Sequence, residues 1–256
     1  MAKDKRSKAS GPPPPAANPT PTAAAAASTR PSWPPFKPAL PVVDLTPESL
    51  VQDKVVVLRS FFPRSLCRDY VSFLRELPLI TTPGKPKRGD AVRVNDRYQI
   101  DDPLFAQRLW TETGLKEVVL NKNVARLWGG EVVGLNSNIR IYRYTAGQFF
   151  DAHYDDSNNV TINPETGGGG SSTTPVPART TWTLLLYLTS SADGCIGGET
   201  VFYPHDRRSA KEEIAVSLET GMLLLHKHGH DCMLHEGREV TAGEKWVIRT
   251  DLCVKR

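Results

Sequence analysis

The segment FFDAHYDDS, residues 149–157, ends an apolar run with a histidine and a carboxylate two positions apart. On a β-strand, residues i and i+2 project from the same face, so we expect His153 and Asp155 to point together. Tyr154 and Asp156 would then point away, which predicts that Asp156 is a solvated surface carboxylate. A neighbouring imidazole and carboxylate can hold a transition metal, and a surface hydrogen bond between them is the alternative.

A metal site built on this pair needs at least one further ligand, and the C-terminal third of the chain offers several. The run HKHGHDC, residues 226–232, repeats histidine at period two, and imidazole suits zinc, copper and nickel. Gly229 interrupts the run, and a glycine there favours a turn that breaks the common face. A self-contained site in this run is therefore the weaker interpretation. His226 is interpreted as a core histidine with satisfied hydrogen bonds, and a position near the active site is the alternative.

The better third ligand is His235, in the segment LHEGREVTAGEKWVIRTDL. A histidine, a glycine-containing turn and a strand that starts at Lys245 would bring a ligand and a cation to one end of a sheet. Two histidines and a carboxylate on one face leave positions on Fe(II) that a bidentate 2-oxoacid and dioxygen can fill. The far carboxylate of the oxoacid needs a buried cation, and Lys245 and Arg249 share the strand face that can supply it.

The elements that must position these residues begin with helices. The segment SLCRDYVSFLREL has apolar residues at helical spacing and Ser65 as its predicted N-cap. The segment DDPLFAQRLW predicts a second helix, with Asp102 as the cap and Pro103 at the first helical position. A third helix is predicted over residues 115–128, LKEVVLNKNVARLW.

From residue 138 onward the pattern is that of short strands separated by Gly, Asp, Ser and Pro. The β-rich runs are NIRIYRYTAGQFFDAHYD, TTWTLLLYLTS, GGETVFYP, EEIAVSLETGMLLLHKH and EKWVIRTDLCV. Helices followed only by strands predict an α+β fold in which helices pack outside a sheet sandwich or barrel. The segment RVNDRYQ, residues 93–99, groups two cations and two amides before the second helix, which is compatible with a salt-bridged loop.

Two segments have no core content. Residues 1–40 hold ten of the 21 prolines and predict a disordered, Pro/Ala-rich basic leader, followed by a single domain over residues 41–256. The segment NPETGGGGSSTTPVPA predicts a flexible insertion over about residues 157–178.

Charge and cysteine content limit the class of protein. The leader carries six Lys/Arg and one acidic residue, so the rest of the chain holds 26 Lys/Arg against 27 Asp/Glu and is nearly neutral. A neutral body gives no electrostatic footprint for nucleic acid, and no apolar run is long enough to cross a bilayer. Four cysteines without C-x-x-C spacing, and no secretory signal, predict reduced thiols and a cytoplasmic protein, with the nucleus as the alternative.

From about Leu58 to Val254 the chain resembles the prolyl 4-hydroxylase-like branch of the 2-oxoglutarate- and Fe(II)-dependent dioxygenases. The matching pieces occur in the order of that family: YTAGQFFDAHYD, TLLLYLTS, GGETVFYP, LHEGREVTAGEKW and IRTDL. The resemblance implies a double-stranded β-helix, or jelly roll, as the core, with N-terminal flanking helices. It also implies Fe(II) as the metal, 2-oxoglutarate as the cosubstrate and ascorbate as the reductant.

Carried over residue by residue, the resemblance implies that His153, Asp155 and His235 bind the iron. Lys245, ten residues after His235, matches the group that binds the 5-carboxylate of 2-oxoglutarate, and Arg249 is its rival. The resemblance also implies that two further residues lie near the cosubstrate, Tyr144 and Thr183. The segment RVNDRYQ, residues 93–99, resembles a segment in parts of this superfamily, so a position at the rim of the substrate entrance is the equal alternative to a salt-bridged loop.

The implied activity is hydroxylation of a peptide or small-molecule substrate by dioxygen, with release of succinate and carbon dioxide. A protein prolyl residue is one candidate target. Two other interpretations stay open: a non-catalytic metal-binding jelly-roll module, and a zinc-dependent hydrolase that uses His153, Asp155 and a histidine of the HKHGH run.

Overall fold

A computed structural model gives the structure of the chain and describes residues 30–82, 89, 91–162, 174–209 and 211–256. Most of the predicted leader, residues 1–29, and the centre of the predicted insertion, residues 163–173, lie outside the described residues. None of the described helices is long and apolar enough to cross a membrane.

The described residues form helices and strands with the following bounds: α1 Arg64–Arg75, α2 Pro103–Thr111, α3 Leu115–Val119, β1 Glu48–Val51, β2 Val55–Leu58, β3 Ile80–Thr81, β4 Arg93–Val94, β5 Asp96–Asp101, β6 Val132–Leu135, β7 Asn138–Tyr144, β8 Phe149–His153, β9 Asn159–Ile162, β10 Val176–Tyr187, β11 Ile196–Gly197, β12 Thr200–Tyr203, β13 Ile214–Val216, β14 Leu223–Lys227, β15 Leu234–Gly237, β16 Val240–Ala242 and β17 Lys245–Lys255.

The strands form two main antiparallel sheets with the pairing of a jelly roll. In the described part of the chain, the larger sheet has the order β1-β2-β14-β10-β17-β7-β5-β3, with β6 on β17 and β9 on β10. The smaller sheet has the order β13-β12-β15-β8-β4, and β11 pairs separately with β16. Each of the five predicted β-rich runs contains strands, so the mostly β architecture predicted for this region is confirmed.

Strand alternation sends the two faces of the larger sheet into different apolar clusters. On β7, Ile139 and Ile141 join a cluster with the buried residues of α1 and α2, whereas Tyr142 and Tyr144 join a second cluster with residues of the smaller sheet. Because residues i and i+2 share a face, the polar residues of β7 and β17 that alternate with the first set also project between the two sheets. The chemistry-bearing side chains are therefore collected in the space between the sheets.

The helices agree with the sequence in part. Asp102 caps α2 by accepting a 3.0 Å hydrogen bond from the Phe105 amide, and Pro103 is the first helical residue, as predicted. Helix α1 instead begins at Arg64 after Pro63 and has no side-chain cap, so the prediction that Ser65 is its N-cap is wrong. The third predicted helix is also wrong in length, because α3 ends at Val119 and only a short 3-10 turn follows at residues 125–128.

The predicted boundary of the leader at residue 40 lies too far along the chain. Trp33 and Phe36 are buried, and the Trp33 ring stacks on Phe105 with 4.0 Å between ring centroids. The indole of Trp33 also donates a 2.8 Å hydrogen bond to Asp102, the cap of α2. Proline content describes the average of this segment, but two aromatic side chains are enough to anchor its end to the domain.

The ends of the predicted insertion are also ordered. Strand β9 pairs with the start of β10, with Ile162 opposite Val176 and Asn159 opposite Arg179. The predicted insertion, residues 157–178, was therefore too long, because it included strand residues at both of its ends.

Candidate metal centre

Two histidines face each other across the pairing of β8 with β15. His153 and His235 are register partners in that pairing. The Nδ1 atom of His153 lies 2.8 Å from the Asp151 carbonyl oxygen, and Nδ1 of His235 lies 2.9 Å from the Met233 carbonyl oxygen. A carbonyl can only accept, so each Nδ1 carries the proton and donates, and each Nε2 presents a lone pair. Fixing both tautomers in this way is how protein groups orient histidine ligands of a metal.

The carboxylate of Asp155 completes the group. Its Oδ1 lies 3.7 Å from Nε2 of His153, and its Oδ2 lies 3.8 Å from Nε2 of His235. The three ligand atoms all lie within 4.8 Å of one another. Strand β8 ends at His153, so Asp155 does not reach the site through strand alternation as predicted, but through the segment that leaves the strand. Asp156 is exposed, as predicted.

The protonation states of these groups suit metal binding. Burial lowers the pKa of His153 well below its usual value, with His235 as a second cause, and burial also lowers the pKa of His235. Burial raises the pKa of Asp155, but the nearby Arg249 guanidinium and the histidines hold it well below its usual range. Neutral imidazoles and an ionised carboxylate are the forms that bind a divalent cation.

A hydrogen-bonded chain holds Asp155 in place. Arg249 Nη2 donates a 2.8 Å hydrogen bond to Asp155 Oδ2, and the Thr183 hydroxyl donates one of 2.9 Å to the same oxygen. Thr183 Oγ1 in turn lies 3.0 Å from Nδ1 of His228, whose Nε2 lies 3.0 Å from Thr180 Oγ1. Thr183 and Arg249, expected near the cosubstrate, therefore contact the metal-binding carboxylate directly.

Lys245 is a buried cation without a carboxylate partner among the described residues. Its Nζ donates a 2.6 Å hydrogen bond to the Gly198 carbonyl oxygen and lies 5.3 Å from the ring centroid of Tyr144 and 5.5 Å from that of Tyr187. Burial lowers the pKa of Lys245 to about 8. Gly198 has φ +78°, and a Cβ there would lie 3.2 Å from Lys245 Cδ, so glycine keeps space for the lysine stem.

One cavity between the sheets joins the metal-binding group to the lysine. Its walls include His153, Asp155, His235, Tyr144 and Lys245. Tyr144 is the register partner of Lys245, and burial raises the pKa of its hydroxyl, which therefore stays protonated and able to donate. The structure thus brings together all seven predicted site residues, two of them as supports of Asp155.

The preferred interpretation of His226, a core histidine with satisfied hydrogen bonds, is wrong, whereas the alternative position near the active site agrees with its place in the cavity wall. The side chain is buried, but neither ring nitrogen has a hydrogen-bond partner among the described residues, and Nε2 lies 3.6 Å from Asp155 Oδ2. Its register partner is Thr183 on β10, which carries it into the space between the sheets. Alternation along β14 was the signal that could have placed it there. His230 is exposed and His228 hydrogen-bonds threonines, so the run forms no site of its own.

A second group of potential ligands overlaps the first: His226, Cys232 and His235. Cys232 Sγ approaches His235 at Nδ1, at 3.9 Å, and that nitrogen is already directed at the Met233 carbonyl. Burial also raises the pKa of the Cys232 thiol to about 12, which keeps it protonated, whereas a metal binds the thiolate. The set His153, Asp155 and His235 is therefore the better fit to a metal.

A jelly roll that carries two histidines and one carboxylate at one end of its facing sheets has the ligand set of non-haem iron oxygenases. Residues 139–250 match the family model of the 2OG-Fe(II) oxygenase superfamily, which identifies this part of the chain as a 2-oxoglutarate- and Fe(II)-dependent oxygenase domain. The search of curated proteins gave no match.

Solved structures share the fold at low sequence identity. A Pseudomonas putida prolyl-4-hydroxylase is 15% identical with a TM-score of 0.51, and the match covers 79% of this chain and 94% of that one. A truncated viral collagen prolyl hydroxylase from Paramecium Bursaria Chlorella virus-1 is 14% identical with a TM-score of 0.50, over 87% of this chain and 100% of that one. A Trichoplax adhaerens prolyl hydroxylase, solved with a hypoxia inducible factor peptide fragment, is 16% identical with a TM-score of 0.50, over 78% and 84%.

Proposed function

We propose that this protein is a hydroxylase that couples oxidation of 2-oxoglutarate to insertion of oxygen into a C–H bond, releasing succinate and carbon dioxide. The supporting observation is the convergence of the His153, Asp155 and His235 ligand atoms within 4.8 Å, in the same cavity as a buried lysine with no carboxylate partner among the described residues. In this proposal, α1 and α2 are the helices that flank the jelly roll.

In this proposal Nε2 of each histidine and the Asp155 carboxylate bind Fe(II). The bound iron and cosubstrate supply the activation of dioxygen. The protein fixes the ligands through the carbonyls of Asp151 and Met233, and it holds Asp155 through Arg249 and Thr183. Burial between two sheets excludes bulk water from the reacting groups.

We assign the far carboxylate of 2-oxoglutarate to Lys245 rather than Arg249. Arg249 already has a carboxylate partner at 2.8 Å, whereas the buried Lys245 ammonium has a carbonyl and two aromatic rings as its partners among the described residues. A buried cation without an anion is unfavourable, so an incoming carboxylate is more strongly stabilised at Lys245. The Tyr144 hydroxyl forms no hydrogen bond with another described residue and is available to the same carboxylate.

A protein prolyl residue is the proposed target that agrees with the solved relatives of similar fold, which are prolyl hydroxylases. At this low sequence identity the structural similarity shows a shared fold and nothing about the target. The proposed target therefore rests on resemblance alone. The reductant in the proposed reaction is ascorbate.

The test is succinate release by the purified protein supplied with Fe(II), ascorbate and 2-oxoglutarate. We expect slow release without added substrate by the wild type, and loss of release in Asp155→Ala and in His235→Ala. Asp156→Ala is the matched control, because that carboxylate is the next residue but is exposed. No release by a wild type that binds Fe(II) would favour the non-catalytic module, and tight zinc with no 2-oxoglutarate binding would favour the hydrolase.

A further inference from the structure

Two arginines lie over aromatic rings of the cavity wall. The guanidinium carbon of Arg93 is 5.1 Å from the ring centroid of Phe150 and 5.9 Å from that of Tyr142. The guanidinium carbon of Arg97 is also 5.9 Å from the Tyr142 centroid. Both rings line the cavity that holds the metal-binding group, so the two positive charges lie beside the same cavity.

Strand pairing places two further arginines near these two positive charges. Arg97 on β5 is the register partner of Tyr142 on β7, and Arg140 on β7 is the register partner of Arg249 on β17. We call Arg93, Arg97, Arg140 and Arg249 the arginine cluster.

The arginine cluster has more positive charge than its carboxylate partners neutralise. Arg249 pairs with Asp155, and Arg140 pairs with Asp251. Arg93 and Arg97 form no ion pair with any described carboxylate, although Asp96, which lies between them in sequence, pairs with Arg143 at 2.7 Å. The prediction that residues 93–99 form a salt-bridged loop is therefore wrong for the two arginines, which instead lie on strands β4 and β5.

Several hydrogen-bond donors in the arginine cluster are also without partners. The Nε atoms of Arg97, Arg140 and Arg249 are buried without a hydrogen-bond partner in the described part of the chain. Burial lowers the pKa of Arg97, and the neighbouring Arg93, Arg140 and Arg249 lower it further, against the opposite effect of Tyr142. Like charges held together with unsatisfied donors are unfavourable unless an anion binds among them.

A separate polar cavity of about 530 Å³ is lined by one member of the arginine cluster, Arg140, and by Asp101 and Asp251. Arg140 lines it together with Asn138, whose Oδ1 is also buried without a partner among the described residues. The space beside Arg140 is therefore large enough for part of a ligand and is lined by hydrogen-bonding groups.

We infer that the substrate of this enzyme carries an anionic group, a carboxylate or a phosphate, and that Arg93 and Arg97 bind it at the entrance of the active site. A planar guanidinium matches both groups through paired hydrogen bonds. The inference rests on the proposed function and gives each cation a separate role. Lys245 binds the cosubstrate, and Arg249 and Arg140 stay paired with Asp155 and Asp251. The two remaining arginines of the cluster bind the anionic group of the substrate.

The test measures binding of small probes to protein loaded with Mn(II) and saturating 2-oxoglutarate, so that Lys245 is already occupied. Calorimetry compares N-acetyl-L-glutamate and N-acetyl-O-phospho-L-serine with the neutral N-acetyl-L-glutamine. We expect at least one anionic probe to bind about tenfold more tightly than the neutral one, which corresponds to about 1.4 kcal/mol. The tighter of the two anionic probes identifies the carboxylate or the phosphate as the preferred group.

The double variant Arg93→Gln/Arg97→Gln should lose this preference and keep the Mn(II) and 2-oxoglutarate affinities of the wild type. Arg64→Gln is the matched control, because Arg64 is an exposed arginine on α1. Equal binding of all three probes, or an anion preference that survives the double variant, would overturn the inference. Failure of Mn(II) or 2-oxoglutarate to bind in the first titration would count instead against the proposed function.

Discussion

Arg249 donates a 2.8 Å hydrogen bond to Asp155, and each of the two side chains is only 10% exposed. The pair joins β17 of the larger sheet to the segment that follows β8 of the smaller one. A buried ion pair of this kind contributes little net stability against an apolar replacement, but loss of one partner leaves a buried charge without compensation. In this protein the pair therefore fixes the position of a candidate metal ligand more than it stabilises the fold.

The stability of variants at this pair should be strongly non-additive. In metal-free protein, Asp155→Ala and Arg249→Met should each lower the free energy of unfolding by about 3–5 kcal/mol, because each leaves the other buried charge without its 2.8 Å partner. The double variant should lose much less than the sum of the two. Urea unfolding of the four proteins measures this coupling, with the exposed pair Arg108 and Glu112 as the control cycle, where little coupling is expected. Additive losses at Asp155 and Arg249 would contradict the buried ion pair.

Binding of 2-oxoglutarate should weaken as the pH rises through about 8, the pKa to which burial lowers Lys245. Below this pH the lysine is charged and attracts the far carboxylate, and above it a proton must be taken up for the same contact. The affinity should therefore fall by up to about tenfold for each pH unit above the pKa. Calorimetric titration of 2-oxoglutarate into the Mn(II)-loaded protein between about pH 7 and about pH 9 measures the effect.

Lys245→Arg is the matched variant for this pH dependence, because a guanidinium remains charged over the same range. The variant should give a flatter pH profile whatever its absolute affinity. An unchanged profile in Lys245→Arg would assign the titration to another group and would remove the support for Lys245 as the carboxylate-binding residue.

The sequence predicted the groups that meet at the site better than it predicted how they meet. The spacing of His153 and Asp155 and the position of His235 predicted three candidate ligands that the structure places together, but β8 ends at His153, so the carboxylate comes from the segment that follows the strand. Local strand periodicity does not determine where a strand ends. The partner of Arg249 was equally hidden, because that contact joins residues 94 positions apart.

The fold shows the same division between local and long-range information. Alternating apolar residues predicted the strands, and a cap with a following proline predicted α2, since both are local signals. The burial of Trp33 depends on its contact with Phe105 and on the position of Asp102, which composition cannot indicate. The proline-rich composition around Trp33 and Phe36 therefore led to the wrong prediction that these two core residues belong to a disordered leader.

The contact between Trp33 and the cap of α2 should be measurable as stability. Trp33→Ala removes a buried aromatic ring and should lower the free energy of unfolding by about 3–5 kcal/mol. Trp33→Phe keeps the stacking on Phe105 and loses the 2.8 Å hydrogen bond to Asp102, so its loss should be clearly smaller. Urea unfolding of both variants provides the comparison. A stability of Trp33→Ala equal to that of the wild type would show that the ordered domain begins after this residue, as the sequence composition predicted.

His226 should prove to be a tolerated defect of the core rather than a metal ligand. Burial lowers its pKa well below the usual value, with His235 as a second cause, so the ring is neutral, and both its nitrogens lack partners among the described residues. An unsatisfied buried polar group costs about 1–3 kcal/mol, so His226→Leu should raise the free energy of unfolding of the metal-free protein by about 1 kcal/mol. The variant should bind Mn(II) as the wild type does, whereas His235→Leu, the matched control, should lose Mn(II) binding. Loss of Mn(II) affinity in His226→Leu would instead make this residue a fourth protein ligand and would favour the interpretation in which the HKHGH run contributes to the metal site.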